Sequence, residues 1–214
     1  MATARKWSNV IVSMQSAIAA TKTITAITNA NPGVVTSTAH GYSNGNIVWL
    51  LVQGMYQVDQ RPARVANVTA NTFELEGIDT TNYAAFSSGT AQLVTMGTSI
   101  TTATTISSNG GDFALIDTTT IHAGQRTQIP GLPNASSFSF DNIWDVSDAG
   151  LLAMKAAGEA QATRVFLFQF GAGGQKMYFG GYVSASLLPS GQAQQLVTTP
   201  AVITMNGPIT VYTS

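Results

Sequence analysis

Cysteine is absent from this 214-residue chain, which removes disulfides, thiol catalysis and zinc–thiolate sites together. Charge is scarce as well. Charged residues make up 9% of the sequence, nine basic against ten acidic for a net charge of −1, where about a quarter of a globular chain is usual. There is no basic run: Arg5-Lys6, Arg61 and Arg64 are the nearest things to a cluster. Tight docking to nucleic acid needs several cations on one face, so the sequence argues against it. A conduit through which nucleic acid passes without sticking stays open. No apolar run approaches the roughly 20 residues that cross a bilayer as a helix. Near the N-terminus, Ser8, Asn9, Ser13, Gln15 and Ser16 interrupt the apolar residues too often for a signal-peptide core. The alternation of Val10, Val12 and Met14 predicts a half-buried strand instead. These features predict a soluble protein made in the cytoplasm.

Thr, Ser, Ala, Gly, Asn and Gln stand where charge would be, and apolar residues reach 44%. Disorder requires low hydrophobicity and high net charge, and the chain has neither. Its surface must therefore be neutral and polar, and copies of such a surface repel one another weakly, which favours self-association. A monomeric secreted protein is the alternative. The length allows one large or two small domains.

Residues 22–95 form a densely punctuated block. Asn31-Pro32-Gly33, His40-Gly41, Asn44-Gly45, Gly54, Asn71-Thr72, Glu76-Gly77 and Ser88-Gly89 fall between apolar runs of strand length. The pattern predicts a self-contained small β domain inserted into a discontinuous core made of residues 1–21 and 96–214. The texture then changes to MGTSITTATTISSNGG, which reads as a linker or as a hairpin with its tip at Asn109-Gly110-Gly111. Its β-branched residues favour the hairpin.

Strands are expected at Phe113–Asp117, Gln125–Ile129 and Ser136–Asn142, with Pro130-Gly131-Leu132-Pro133-Asn134 as the turn between the last two. One helix is expected over Asp145–Gly158. Ser147 serves as N-cap, Asp148 sits in the first turn, Gly158 marks the stop, and Leu151 and Met154 share a face. Strands at Arg164–Phe170 and Lys176–Leu187 flank a hairpin loop at Gly171–Gln175. Three short strands near Gln194–Val197, Ala201–Met205 and Pro208–Tyr212 would close the chain. The expected fold is mainly β: a β-sandwich or partly closed barrel with one flanking α-helix, plus the inserted small β domain.

No catalytic constellation emerges. His40 and His122 are the only histidines, lie in different blocks and lack partners at metal-ligand spacing. Asp141, Asp145 and Asp148 cluster where the helix begins. As a glycosidase pair they would have to face each other across a cleft, whereas capping orphan N–H groups needs only their position. Glu74, Glu76 and Asp79 lack a calcium-loop pattern. Gly171-Ala172-Gly173-Gly174 joins two strands and lacks the Lys-Ser/Thr of a phosphate loop. Phe138, Phe140, Trp144, Phe166, Phe168 and Phe170 could stack on sugars or bases, but at a period of two beside a helix they read as core. Catalytic, cofactor-binding and metal-binding residues are therefore expected to number none, and no cofactor is implied.

Two resemblances give direction. Residues 24–94 carry Ile24-Thr25-Ala26-Ile27, Asn31-Pro32-Gly33-Val34-Val35-Thr36, Ala39-His40-Gly41-Tyr42, Asn44-Gly45-Asn46-Ile47-Val48 and Asn71-Thr72-Phe73-Glu74-Leu75. This order resembles the small β module of the ubiquitin-activating enzyme's first catalytic-cysteine half-domain, as it recurs in phage tail proteins without ubiquitin chemistry. The flanks carry Thr118-Thr119-Thr120, Thr127-Gln128-Ile129-Pro130-Gly131-Leu132 and Ser137-Phe138-Ser139-Phe140-Asp141-Asn142, then the helix, Gly180-Gly181 and Asn206-Gly207-Pro208-Ile209. That pattern resembles the tail tube proteins of siphophages, whose tails are long and non-contractile. The resemblance implies hexameric rings stacked head to tail into a hollow tube that conducts DNA during ejection. It implies as partners further copies of the chain, the tail terminator, tape measure and tail-tip proteins, and genomic DNA passing without specific binding, with no membrane partner. It places the protein in the virion tail, assembled in the host bacterial cytoplasm, with the 22–95 block on the outside of the tube. The scarcity of acidic residues departs from a strongly negative bore. The competing expectation is a tail-tip or adhesion protein binding cell-surface glycans through exposed Trp49, Tyr56 and Tyr83.

Overall fold

A computed structural model of the chain describes residues 9–171 and 173–213. Its first half runs β1 (Val10–Ile18), β2 (Lys22–Ile24), β3 (Ala26–Ile27), β4 (Val34–Thr36), β5 (Ile47–Gln53), β6 (Arg61–Ala66), β7 (Thr72–Leu75) and β8 (Ser88–Ile100). The second half runs β9 (Ala103–Asn109), β10 (Phe113–Asp117), β11 (Gln128–Pro133), β12 (Ser137–Ile143), α1 (Ala149–Glu159), β13 (Arg164–Phe170), β14 (Lys176–Ala185) and β15 (Thr198–Tyr212). The fold is mainly β with one α-helix among the described residues, as the composition and punctuation imply.

Among the described residues thirteen strands form a single curled sheet in the order β3-β4-β7-β6-β5-β8-β1-β13-β14-β15-β12-β9, with β2 paired to β8, while β10 and β11 pair only with each other. The thirteen-residue β8 joins the two halves. Its first part pairs with β5 through Ser88–Val94, and its last part pairs with β1 through Val94–Ile100. The strand therefore runs unbroken across residues 95 and 96, where the texture of the sequence changes.

Alternation builds three apolar clusters. One contains Val35, Val48, Leu50, Val65, Phe73 and Leu75, all fully buried between the strands of the 22–95 block. A second lies inside the curl of β1 and β12–β15, where Phe140, Phe166, Phe168, Phe179 and Ile203 are nearly or fully inaccessible and Met154 of α1 plugs the space. Aromatic rings there meet edge to face, Phe168 against Phe179 at 5.3 Å, a geometry that ring quadrupoles favour. The third cluster joins the other two: Ile47, Trp49 and Val94 pack on Val165, Leu167, Tyr178 and Tyr212. Strand β13 thus buries side chains on both faces, which explains its unbroken apolar run.

Several local expectations are corrected. Asn109-Gly110-Gly111 is no hairpin tip, because β9 pairs with β12 and the chain continues straight into β10. Pro130–Pro133 are strand residues rather than a turn, with Leu115 opposite Pro130 and Phe113 opposite Pro133. A two-stranded ribbon leaves one edge of each strand unpaired, so proline's missing N–H costs no ladder bond. The strand preceding them begins at Gln128, not Gln125. Asp148, not Ser147, caps α1, accepting from the Leu151 N–H at 2.8 Å, while Ser147 donates to Asp145. Gly158 lies within the helix, its bare Cα facing the Val183 carbonyl of β14. The expected strands at Ala201–Met205 and Pro208–Tyr212 are one, since Gly207 adopts φ +82 and lets β15 bend without ending. The strand expected near Gln194–Val197 is instead a turn, with Gln194 at φ 66 and the Gln195 N–H donating to the Gln192 carbonyl at 3.1 Å.

Two predictions follow from this packing. A Cβ at Gly180 would fall inside the Trp49 indole, so Gly180→Ala should cost about 1–3 kcal/mol by overpacking. Calorimetry should show Tm lowered by about 2–4 °C for each kcal/mol, largely restored by adding Trp49→Leu. Burial pushes the Tyr42 hydroxyl up to about 12, and it donates to the Ala91 carbonyl at 3.0 Å. The unfolded chain releases that proton near its ordinary value of about 10, so the contribution is complete below that pH. It is then lost as pH rises towards the folded value. Urea titrations across that alkaline window should show a shallower decline for Tyr42→Phe.

Candidate assembly surfaces

The exposed surfaces of the chain are as informative as its core. Strands β9 and β12 pair from Ala103 to Asn109, and the same two-stranded path continues outward as β10 and β11. The Asp112 carbonyl accepts from the Asn134 N–H at 2.8 Å and links the two ribbons. From Ser107 to Ala135 every residue is exposed except Gly131, which is half-buried. The ribbon is thus an arm projecting beyond the sheet. Its tip is held by the Thr118 N–H donating to the Thr127 carbonyl at 3.0 Å and by Arg126 paired to Asp117 at 2.9 Å. The hydroxyl and N–H of Thr119, and then Arg126, hold the Asp117 carboxyl below the usual carboxylate range.

This ordered arm carries Phe113, Leu115, Ile116, Ile121, Ile129 and Leu132, each between 51% and 97% exposed. A lone two-stranded ribbon has too little apolar contact of its own for stability, and exposed apolar surface concentrated in one place marks an interaction site. Strand β9 adds a second unmet demand. Among the described residues it ends the large sheet, so one row of its backbone groups has no described strand beside it. Its sequence, ATTISSN, contains neither the proline nor the charge that usually blunts an edge. Where β9 passes the start of β1, the wall of the curl leaves a cavity of about 540 Å³ lined in part by Val10, Val12, Ile100 and Ile106.

The polar contacts of the chain hold its two halves together. Strand β6 lies against β15: the Arg64 N–H donates to the Tyr212 hydroxyl at 2.6 Å, and the Arg64 guanidinium sits 4.3 Å over that ring. Arg64 also donates to Glu76 at 2.6 Å, which holds the guanidinium above its usual range. Arg61 donates to Thr210 at 2.9 Å, and Asn206 to Gln60. Trp49 is buried in this junction at 5% exposure. It therefore cannot form the exposed glycan platform expected with Tyr56 and Tyr83. Tyr83 is half-buried against the core of its block, and Tyr56 alone is open.

The other residues singled out in the sequence resolve into turn and cap chemistry. His40 is buried and its Nδ1 accepts from the Tyr42 N–H at 3.0 Å; His122 is exposed on the arm. Asp145 accepts from the Ser147 hydroxyl and N–H, which lower its proton affinity, and Asp148 caps α1. Glu74 accepts from Asn67 at 2.7 Å and Asp79 from Thr81. Among the described residues no three His, Asp or Glu side chains gather as a metal site, and no helix is long and apolar enough to cross a membrane.

Sequence reasoning missed the arm. The available signal was the pairing of Phe113, Leu115 and Ile116 with Ile129 and Leu132 around a polar stretch, but Pro130 and Pro133 disguised its second strand as a turn.

In comparison with known families, a family model described as phage tail tube protein (TTP) matches residues 53–214. No curated protein matches the chain. Substituting Ile116→Asp together with Leu132→Asp should leave folded stability within about 0.5 kcal/mol, as for other exposed positions. The same pair should abolish assembly beyond the monomer in analytical ultracentrifugation.

Proposed function

The chain belongs to the phage tail tube protein family, and on that premise we propose that it is the tube subunit of a long, non-contractile tail. In this reading hexameric rings stack head to tail into a hollow conduit for DNA during ejection. A tail tube protein is a component of the virion tail and assembles with itself, which fits a surface almost free of net charge.

The observation that carries the reading is the arm. An ordered ribbon with six large apolar side chains in water is a structure waiting for a partner, and self-association supplies one at every repeat. The open edge of β9 supplies the lateral contact, since a neighbouring subunit can extend the sheet there. Such contacts are heterologous, and heterologous contacts generate closed rings or open filaments according to the rotation between copies. The 22–95 block is an inserted small β domain on the outside of the tube. Tail terminator, tape measure and tail-tip proteins meet the ends and interior of the assembly. The protein is no enzyme in this reading; its aspartates cap and brace turns. Assembly takes place in the host bacterial cytoplasm.

Negative-stain electron micrographs of the purified protein across a concentration series test this. Rings, and tubes with a central bore at higher concentration, are expected. A compact monomer at every concentration, also in the presence of a tail-tip complex as initiator, would refute the tube reading.

A further inference from the structure

The large sheet has an uncovered face whose chemistry differs from the rest of the molecule. We propose that this face, formed by β9, β12, the second half of β14 and the first half of β15, lines the bore and presents hydroxyl groups to passing duplex DNA. The proposal rests on the tube reading given above.

Strand alternation fixes the face. Ile106, Phe138, Phe140, Ala201, Ile203 and Val183 turn into the apolar curl, so their strand neighbours turn the other way. The paired register then sets Thr105 beside Asp141, Ser107 beside Ser139, and Ser137 beside Thr204, with Ser184 beside Val202 at the far side. Small hydroxyl side chains are the commonest on the face, which also carries Asn109, Ile143, Tyr182, Pro200 and Val202. Within these four segments the one ionisable acid is Asp141 and there is no Lys or Arg. Arg61, Arg64 and Glu76 are placed at the β6–β15 junction, and the paired Lys155 and Glu159 of α1 flank the face only at its β14 margin, beside Tyr182 and Ser184.

Two bends separate this face from the part of the sheet already covered. Strand β14 changes register against β15 between Tyr178 and Gly180, opposite the positive-φ Gly207. Before the bend, Tyr178 and Tyr212 lie under the 22–95 block with Trp49; beyond it, Ser184 and Thr204 are exposed, Ser184 beside a concavity that it lines together with Lys155 and Glu159 of α1. Bulges of this kind bend the strand that carries them, so the two faces point apart. The hydroxyl face also runs up to the open edge of β9. A neighbour that extends the sheet at that edge continues the same face from subunit to subunit.

The chemistry suits a polyanion that must move. Each cation in contact with phosphate adds binding that has to be undone before the next step. Dense carboxylate would instead repel the duplex from the bore. Hydroxyl groups exchange hydrogen bonds with water and leave neither sign of charge to overcome.

The lack of cysteine makes the test direct, because one substitution creates one label site. Tubes assembled from Ser139→Cys protein, and separately from Thr105→Cys protein, are treated after assembly with a maleimide-linked gold cluster small enough to enter the bore. They are then imaged by electron cryomicroscopy. Gold along the tube axis in both is expected. Gold on the outer flank overturns the assignment, as does a thiol that reacts only after tubes are dissociated, since that places the face between subunits. Failure of the unsubstituted chain to form tubes, by contrast, removes the tube reading itself.

Discussion

Every strand pairing between the two halves of the large sheet passes through β8. Buried N–H and C=O groups must find partners, and a strand shared end to end is the shortest way to satisfy two β-layers at once. Its first half completes the block around Phe73 and Leu75, and its second half completes the curl around Phe166 and Phe168. A break in β8 would strand backbone groups on both sides. The junction of Trp49, Tyr178 and Tyr212 then fixes the angle at which the halves meet.

The division between satisfied and unsatisfied surface is sharp. Inside, aromatic rings and aliphatic chains fill three apolar clusters, and the buried Gln15 amide oxygen is met by the Val165 N–H at 2.9 Å. Outside, the arm holds apolar side chains in water, and among the described residues β9 leaves a row of backbone groups open. Natural monomers avoid both features because each invites association. A tail tube protein associates with itself, and in the proposed tube what would be a hazard in a solitary domain serves that association.

Much of this was legible in the sequence for identifiable reasons. Strands such as Arg164–Phe170 and Phe113–Asp117 showed through because runs of apolar and β-branched residues were bounded by glycine or polar turns. The helix showed through its shared Leu151–Met154 face, and its cap was misplaced by one residue because Ser147 and Asp148 are both competent caps. The failures have a common cause. Proline at 130 and 133 and glycine at 207 are read as breaks, yet each sits where an unpaired edge or a bulge tolerates it. Whether a residue lies at an edge is a property of the whole sheet, and short-range pattern does not contain it. Trp49 misled for the same reason: its burial depends on a glycine 131 positions away.

That pair ties two distant segments of the chain to each other. Trp49 and Gly180 are key and keyhole, belonging to segments far apart in sequence but to one fit in space. Grafting the 22–95 block onto a sheet bearing an ordinary side chain at position 180 would leave the indole with nowhere to go. Excising the block would expose a bare glycine stretch and two tyrosines at the surface. Any recombinant that shuffles one segment without the other therefore inherits a mismatch at this spot.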